Sequence, residues 1–385
     1  MTGHALRQTG HNAACMKGRE VTRGGRPTIR EVAASAGVSY QTVSRVINSD
    51  GYVAEATKAK VLAAIRELNF VPNGIARSLS SSRSHTLGVV SNDISDHSFA
   101  EMAAGAEQEA RRHGFYLIIG SVEDGSPDDE EAYLRLMQQR RIDGLIVARP
   151  RLRPGSRRFL ADMASSIPTV AIASRVEALR LNSVDIDNLG GGRIAAQHLL
   201  ENGHTAIAMI TGPPDWPSAQ ARTRGAQDAL REAGKQRDLV VEASPDWGVE
   251  GGRAATSRLL KSGRRFTAIF AQSDLLALGA IAELQARGLA VPREVSIVGY
   301  DDIPVAQYMT PALTTVRQPM PDVGARAVRL LLEELGASGN GSSLRRKHLL
   351  VDVSLVVRDS VVGPIDSPLR RRGSGSRVRR SPGHT

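Results

Sequence analysis

The hydrophobic pattern of the chain changes near residue 86. Before this point, apolar residues recur three and four positions apart in short segments, which is typical of amphipathic helices. After it, apolar runs of strand length, such as 87–90, alternate with longer segments of helical periodicity. The pattern predicts a small all-α region followed by a large α/β region.

A capping box marks the first predicted helix. The Thr28 hydroxyl can cap the helix while Glu31 reaches back to the same turn, and Gly37 is a residue that typically ends a helix. Ser39 then has the position of an N-cap before a second helix over 40–47. Two short helices separated by a tight turn predict a helix-turn-helix.

A third helix is predicted over 55–68, where apolar residues lie on one face. Ala54 stands at its N-cap position and has no side-chain acceptor, which costs about 1 kcal/mol relative to Ser or Thr. Asn73 can cap one more short helix over 74–79, before a polar linker over 80–84.

The second predicted helix has two chemically different faces. Val43, Val46 and Ile47 recur at helical spacing and predict a face toward the core. Hydrogen-bonding side chains occupy the opposite face, at Tyr40, Gln41, Ser44 and Arg45. Gln pairs with adenine and Arg with guanine in the major groove, so this face predicts base contacts. Side chains suited to phosphate contacts lie at Thr28, Ser39, Thr42 and Asn48. The alternative is a solvated polar face on a small helical bundle.

Positive charge is concentrated at the two ends of the chain, whose formal net charge is +10. Residues 1–85 contain 12 Lys or Arg against 5 Asp or Glu, and residues 364–385 contain 6 Arg and 1 Asp. A basic region on a near-neutral body is typical of nucleic-acid-binding proteins. Solvated basic tails are the alternative, which charge alone does not exclude.

Composition excludes several classes of protein. Cys15 is the only cysteine, so an internal disulfide and a cysteine-based metal cluster are excluded. No apolar run approaches the length of about 20 residues that a membrane span requires, and the first 25 residues lack the apolar segment of a signal peptide. We therefore expect a cytoplasmic protein with no membrane contact.

Strands and helices are predicted to alternate after residue 86. The predicted strands cover 87–90, 115–119, 144–147, 169–173, 206–210, 239–242, 268–270, 296–298 and 347–357. The predicted helices cover 99–113, 130–140, 190–202, 222–233, 251–261, 273–287 and 322–335. Strict alternation favours parallel sheets with helices on both faces, and the number of units favours two α/β lobes.

The α/β region has no residue spacing typical of an enzyme. No nucleophile–base pair stands out, and His198 and His204 are six positions apart, which does not place both on one helix face. The Gly-rich run 188–193 can be interpreted as a phosphate cradle, but it lacks the Lys-Ser/Thr of a P-loop. Close helix packing is the preferred interpretation. We expect no enzymatic activity, no cofactor and no metal.

The run 36–48, AGVSYQTVSRVIN, closely resembles the headpiece of the lactose repressor family, and the resemblance continues through ELNFVPN at 67–73 and ARSL at 76–79. It implies that 73–79 is a hinge helix that enters the DNA minor groove, where a leucine wedges between base steps. The residues that carry this implied role are Asn73, Ala76, Arg77 and Leu79. Leu79 as an ordinary core residue is the alternative.

The α/β region resembles the periplasmic sugar-binding-protein fold used by the same family, through the runs 142–147, 199–204, 273–280, 295–302 and 311–316. The resemblance implies a ligand cleft between two lobes, at the carboxyl ends of the strands. The candidate effector-binding residues are Arg149, Arg222, Trp247, Ser273, Asp274 and Asp301.

Each effector candidate also has a structural interpretation. Arg222 can form a surface ion pair, Trp247 can be plain core packing, Asp274 can cap its helix, and Asp301 can fix its loop. Many sugar-sensing relatives have an Asp where this chain reads AIASR at 171–175, so no particular sugar is indicated.

Together these features predict a ligand-responsive transcriptional regulator, most consistent with a repressor. It binds a palindromic double-stranded operator as a homodimer, because one headpiece reads one half-site. Its effector is a small molecule, expected to be a sugar. Whether this molecule releases the protein from DNA or promotes DNA binding is left open. A transport-type solute-binding protein and an α/β enzyme are the alternatives.

The predicted domains are 1–25 (disordered, basic), 26–72 (helix-turn-helix), 73–85 (hinge helix and linker), 86–362 (ligand-binding) and 363–385 (disordered tail). Within 86–362, the first lobe covers about 86–185 and 317–346, and the second about 186–316 and 347–362.

Overall fold

A computed structural model of the chain describes residues 27–48, 51–71, 83–91, 93–121, 135, 137, 139, 142–148, 160–161, 163–172, 181–235, 239–338 and 346–364. It divides into two compact units, Met1–Ser82 and Arg83–Thr385. Each unit has its own apolar core and is described by itself below.

The first unit contains the three predicted helices, α1 (Ile29–Ala36), α2 (Tyr40–Asn48) and α3 (Glu55–Glu67). Their apolar faces meet in a small buried cluster of Val32, Ala33, Val43, Val61, Ala64 and Phe70. The helical periodicity of the sequence therefore predicted both the helices and the faces that they bury.

The ends of these helices follow from local chemistry. The Thr28 hydroxyl accepts the Glu31 amide, and the Glu31 carboxylate accepts the Thr28 amide at 2.6 Å, so the capping box is confirmed. Gly37 adopts a left-handed conformation with φ 65°, which costs glycine little, and it allows the sharp turn into α2. The Ser39 hydroxyl accepts the Thr42 amide at 3.1 Å. At the start of α3, Ala54 makes no side-chain cap, as predicted.

The second unit has two lobes, each built on one six-stranded sheet. The first-lobe strands are β1 (Thr86–Ser91), β2 (Tyr116–Ser121), β3 (Gly144–Ala148), β4 (Thr169–Ile172), β5 (Asn182–Ile186) and β11 (His348–Val351). Their order is β11-β5-β4-β3-β1-β2, and all pairs are parallel. Helices α4 (His97–Arg112) and α9 (Met320–Ser338) pack closely together in this lobe, since a Cβ on Gly105 would lie 2.0 Å from the Pro321 carbonyl oxygen.

The second-lobe strands are β6 (Ile207–Thr211), β7 (Val240–Ala243), β8 (Ala268–Ala271), β9 (Ser296–Asp301), β10 (Thr314–Arg317) and β12 (Ser354–Val356). Their order is β12-β10-β9-β8-β6-β7, and only the β10–β12 pair is antiparallel. The helices of this lobe are α5 (Asn188–Glu201), α6 (Pro217–Glu232), α7 (Val249–Lys261) and α8 (Asp274–Ala286).

Both faces of the second-lobe sheet are buried, which explains the continuous apolar runs in its strands. In β6, Ile207 and Met209 point into one apolar cluster, and Ala208 and Ile210 point into another on the opposite face. The alternation follows from the two-residue repeat of a strand.

Three sequence predictions need correction. The single strand predicted over 347–357 is two strands, β11 in the first lobe and β12 in the second, so the assignment of all of 347–362 to the second lobe is wrong for His348–Val351. Strands β5 and β10 were not predicted, because their sequences, NSVDI and TTVR, are too polar to give a strand signal. Asn182 is nevertheless buried, and its side chain is not left unpaired there, because its side-chain oxygen accepts the Lys347 amide at 2.8 Å.

Of the helix predicted over 130–140, the structure describes residues 135, 137 and 139, all of them helical. The Gly-rich run 188–193 confirms the close-packing interpretation, because a Cβ on Gly192 would lie 2.0 Å from the Arg222 carbonyl oxygen. Among the described residues, no helix has the length and apolar character that a membrane span requires.

Candidate functional site

The outward face of α2 carries the candidate base-reading side chains. Tyr40 is 55% exposed, and Gln41 and Arg45 are exposed beside it, whereas Val43 on the inner face is fully buried. Thr42 and Ser44 are half-buried at the edge of this face. The helix thus presents hydrogen-bonding groups outward from a fixed core, the arrangement that base recognition requires.

Two of the candidate phosphate contacts also stabilise the helices. The Thr28 hydroxyl takes part in the capping box of α1, and the Ser39 hydroxyl lies 2.9 Å from that of Thr42 at the start of α2. Both residues remain exposed. The Asn48 backbone ends α2, but its side chain lies outside the described part of the chain. The other predicted contacts outside it are Asn73, Ala76, Arg77, Leu79 and the effector candidate Arg149.

Arg222 lies at the centre of the candidate effector site, where α6 faces the carboxyl ends of the second-lobe strands. It is 6% exposed, so the surface ion-pair interpretation does not hold. Its Nε donates to Asn188 Oδ1 at 2.9 Å, its Nη1 to the Gln272 carbonyl at 2.6 Å, and its Nη2 lies 3.5 Å from Gln318 Oε1. A buried guanidinium needs such partners, because desolvation of an unpaired charge is very costly.

Two aromatic rings flank this guanidinium. The Arg222 Cζ lies 3.6 Å from the centroid of the Tyr300 ring and 5.4 Å from that of the Trp247 ring. Both distances are within the range of cation–π attraction. Tyr300 is fully buried, and burial raises the pKa of its hydroxyl to about 12, so it stays neutral near pH 7.

Asp301 ends β9 with φ 112°, a backbone conformation that non-glycine residues rarely adopt. Its Oδ1 accepts the Gln318 amide at 2.6 Å and lies 3.8 Å from Arg222 Nη1. Burial raises the pKa of Asp301 well above its ordinary value, and the Arg222 guanidinium opposes this rise. A rarely adopted backbone conformation together with a carboxyl group whose pKa is strongly raised is typical of a binding site.

Ser273 and Asp274, in contrast, have structural roles. Ser273 is 3% exposed and caps α8, since its hydroxyl accepts the Leu276 amide and donates to the Trp247 carbonyl. Asp274 is fully buried, and its two oxygens accept the Thr315 hydroxyl and the Ile303 amide. Both side chains are buried and already bonded, which favours structural roles for them, while effector contact by Ser273 and Asp274 stays a prediction.

A cavity of about 260 Å³ lies beside Asp301, between the two lobes. One wall comes from the first turn of α4, and the other comes from the end of β9 and the segment joining β10 to α9. Its lining residues are His97, Ser98, Glu101, Asp301, Asp302, Arg317, Gln318, Pro319, Met320 and Pro321. Of the effector candidates, Asp301 lines this cavity, and the Arg222 guanidinium lies behind it, 3.8 Å from Asp301 Oδ1 and 5.4 Å from the centroid of the Trp247 ring. A cleft between lobes at the strand ends is the position where open α/β folds bind ligands.

The sequence did not identify the residues that hold Arg222 and Asp301. Asn188 lies two residues beyond β5 and Gln272 directly follows β8; both are buried, and each bonds to Arg222. Gln318, which bonds to Asp301, directly follows β10. Polar residues that directly follow apolar strands are the only signal that was available for them. No described group of His, Cys, Asp or Glu side chains has the geometry of a metal site.

Comparison with known proteins agrees with this arrangement. Residues 28–73 match the bacterial regulatory proteins of the lacI family, and residues 196–361 match the periplasmic binding protein-like domain. The chain is 36% identical over 316 residues to the transcriptional repressor PurR of Aliivibrio salmonicida, covering 80% of this chain and 92% of the relative.

Solved structures extend the likeness to the whole fold. The Lac repressor dimer bound to operator and the anti-inducer ONPF superposes with a TM-score of 0.77 at 30% identity, covering 88% of this chain and all of that one. A regulator of the same family from Enterococcus faecium with bound ribose gives a TM-score of 0.64 at 26% identity, covering 73% of this chain and all of that one. The chain therefore belongs to the lacI family of bacterial regulatory proteins and is a ligand-controlled, DNA-binding transcriptional regulator.

Proposed function

We propose that the chain is a cytoplasmic repressor that reads its operator with α2 and senses a sugar through Arg222, Asp301 and Trp247. The observation that carries the DNA-reading half is the exposed row Tyr40, Gln41 and Arg45 on a helix whose opposite face is buried. Side chains of this kind at the N-terminal end of a recognition helix reach base edges in the major groove.

Two copies of α2 are needed for tight binding, since one headpiece covers one half-site. The operator is therefore palindromic and the chain acts as a homodimer. The hinge residues Asn73, Ala76, Arg77 and Leu79 contact the minor groove between the two half-sites, and Thr28, Ser39, Thr42, Ser44 and Asn48 contribute phosphate or edge contacts.

The effector half rests on the chemistry of the cleft. Arg222 and Asp301 present a charged donor and a carboxylate side by side, and both can form paired hydrogen bonds with vicinal hydroxyls in a dry site. Trp247 supplies an apolar surface next to them. The ribose-bound relative supports a sugar as the ligand class. Arg149 is a further proposed contact.

The DNA-reading assignment is tested by selecting bound sequences from a random DNA pool with the full chain. Gln41→Ala and Arg45→Ala are expected to relax the selection at one position in each half-site, with a loss of about 1–3 kcal/mol, or roughly 5–150-fold, for the preferred base. Arg66→Ala is the matched control, because it removes the same charge from an exposed position of α3. If both α2 variants select the wild-type sequence with wild-type affinity, α2 does not read bases.

The effector assignment is tested by titrating the protein–operator complex with individual sugars. Arg222→Met and Asp301→Asn are expected to abolish any change in operator affinity that a sugar causes in the wild type. Arg258→Met is the control, since it removes an arginine from an exposed ion pair with Glu242 in the same lobe. An unchanged sugar response in Arg222→Met would remove this residue from the site.

A further inference from the structure

Two consecutive residues at the end of β9 adopt a left-handed backbone conformation. Asp301 has φ 112° and Asp302 has φ 57°, and neither is a glycine. Glycine adopts such angles without steric cost, whereas other residues need compensating contacts from the surrounding structure. A turn built from two aspartates therefore indicates that both side chains are needed where this backbone places them.

The Asp302 carboxylate is held by two guanidinium groups. Its Oδ2 accepts Arg317 Nε at 2.6 Å, and its Oδ1 accepts Arg358 Nη2 at 2.7 Å. We call these three residues the arginine clamp. The Asp302 side chain is only 7% exposed, and charge-assisted bonds on both oxygens fix the orientation of its carboxylate. Since both oxygens already accept strong bonds, Asp302 is better suited to hold the turn than to contact a ligand.

The two arginines of the clamp are themselves anchored to the second-lobe sheet. Arg358 lies two residues beyond β12, and its Nη1 donates to the Leu313 carbonyl at 2.7 Å. Arg317 is the last residue of β10 and lies opposite Asp301 in the parallel pairing of β9 with β10. The clamp thus ties Asp302 to the neighbouring strand and to the segment that follows β12.

The direction of the Asp301 carboxyl group depends on this turn. Gln318 donates to Asp301 Oδ1 at 2.6 Å, and the same oxygen lies 3.8 Å from Arg222 Nη1. Asp301 also lines the interlobe cavity. Because Asp302 is the next residue, contacts that fix its backbone also fix the peptide that follows Asp301. The clamp on Asp302 therefore restrains the direction in which the Asp301 side chain leaves the strand.

We propose that Asp302 is a positioning residue for the effector site, which through the arginine clamp holds the Asp301 carboxyl group beside Arg222 and the cavity. This inference rests on the proposed effector site and deepens it. It assigns to Asp302 an effect on effector affinity that passes through Asp301 and needs no contact between Asp302 and the effector.

The segment after the turn has an anchor of its own, so the clamp can be removed without unfolding the loop. The Ile303 amide donates to Asp274 Oδ2 at 2.9 Å, and Asp274 is fully buried. Asp302→Gly is the sharpest variant, because glycine adopts φ 57° at no cost while the clamp loses its carboxylate. Asp302→Asn keeps a residue that tolerates this conformation and an oxygen that accepts one guanidinium bond.

Crystal structures of the full-length variants without effector test the geometry. In Asp302→Gly, Arg222 should stay in place, since Asn188 and Gln272 hold it. The Asp301 carboxyl group should move to more than about 4 Å from Arg222 Nη1, beyond the limit of an ion pair. In Asp302→Asn it should remain near its wild-type position. An Asp301 carboxyl group that keeps its place in Asp302→Gly would overturn the proposal.

Calorimetric titration with ribose measures the consequence for binding. Asp302→Gly is expected to weaken ribose binding at least about tenfold, the scale of one lost hydrogen bond to a charged group, and Asp302→Asn to restore part of it. Both variants should select the wild-type operator from a random DNA pool, which a general loss of folding would prevent. Glu242→Gln is the control, because it removes a carboxylate from the ion pair with Arg258 in the same lobe and should leave ribose affinity unchanged.

The outcomes separate this inference from the proposed function. Wild-type ribose affinity in Asp302→Gly, or an equal loss in Glu242→Gln, would overturn the positioning role. If the wild type binds no ribose, the proposed sugar effector loses its support, and the crystal structures alone decide whether Asp302 positions Asp301. If the wild type selects no operator, the DNA-reading half of the proposed function has failed, whatever the structures show.

Discussion

In the first unit, Tyr40, Gln41 and Arg45 are exposed on one short helix, whereas in the second unit Arg222 is 6% exposed and bonds to residues from three separate segments. The exposed side chains of α2 contribute little to the stability of their own unit. The buried side chains of the cleft are part of the packing of theirs. Substitutions on the exposed face of α2 should therefore change recognition alone, and substitutions in the cleft should change recognition and stability together.

The largest expected effect is that of Arg222→Met. It leaves acceptors on Asn188, Gln272 and Gln318 without their donor, and each buried acceptor left unpaired costs about 1–3 kcal/mol, so a total loss of at least about 3 kcal/mol is expected. Chemical denaturation measures it, together with the effector titration. Arg222→Lys should not restore binding, because an ammonium lacks the planar fork. Wild-type stability in Arg222→Met would break the contrast between the two units.

A matched pair of core substitutions compares the two units directly. Val43→Ala and Val298→Ala both remove methyl groups from fully buried positions and should each cost about 2 kcal/mol. The first unit has a small core, so the same loss is a larger share of its stability. Val43→Ala should abolish operator binding at a temperature where effector binding persists. Equal loss of both activities in Val43→Ala would contradict this expectation.

The buried carboxyl of Asp274 predicts that the free energy of unfolding of the second unit depends on pH. Burial raises the pKa of Asp274 to about 7, against about 4 in the unfolded chain. The folded state therefore binds the proton more tightly, and the free energy of unfolding falls as the pH rises from about 4 through 7. Asp274→Asn should flatten this slope in denaturation measured at several pH values. An unchanged slope would show that Asp274 is ionised throughout the range.

The smallest expected effect is a gain in the first unit. Ala54→Ser supplies the side-chain acceptor that α3 lacks and should stabilise the first unit by about 1 kcal/mol. Thermal unfolding followed by helical circular dichroism, with Ala54→Gly as the control without an acceptor, measures the difference. Equal melting temperatures for wild type and Ala54→Ser would mean that water caps this helix as well as a hydroxyl does.

The sequence of the first unit was sufficient to predict the three helices that the structure describes there, and the outward face of α2. The capping box at Thr28 and Glu31, the left-handed Gly37 and the helical spacing of Val43 are interactions within a few residues. Such local interactions leave a pattern in the sequence that can be interpreted without knowing which distant residues they contact. The same holds for most of the alternation of strands and helices in the second unit, although the polar strands β5 and β10 were missed.

Only the tertiary structure decided which polar residues of the second unit form the site. Asn188, Gln272 and Gln318 meet at Arg222 from positions up to 130 residues apart, and such contacts leave no periodic signal in the chain. Asp274, which opens a helix, and Asp301, which directly follows a strand, were both effector candidates in the sequence, each with a structural alternative. Burial against Thr315 and Ile303 made Asp274 structural, while the strained turn at Asp301 places its carboxyl beside the cavity. The sequence alone thus predicts the elements and the fold, whereas the pairing of distant side chains depends on how those elements pack.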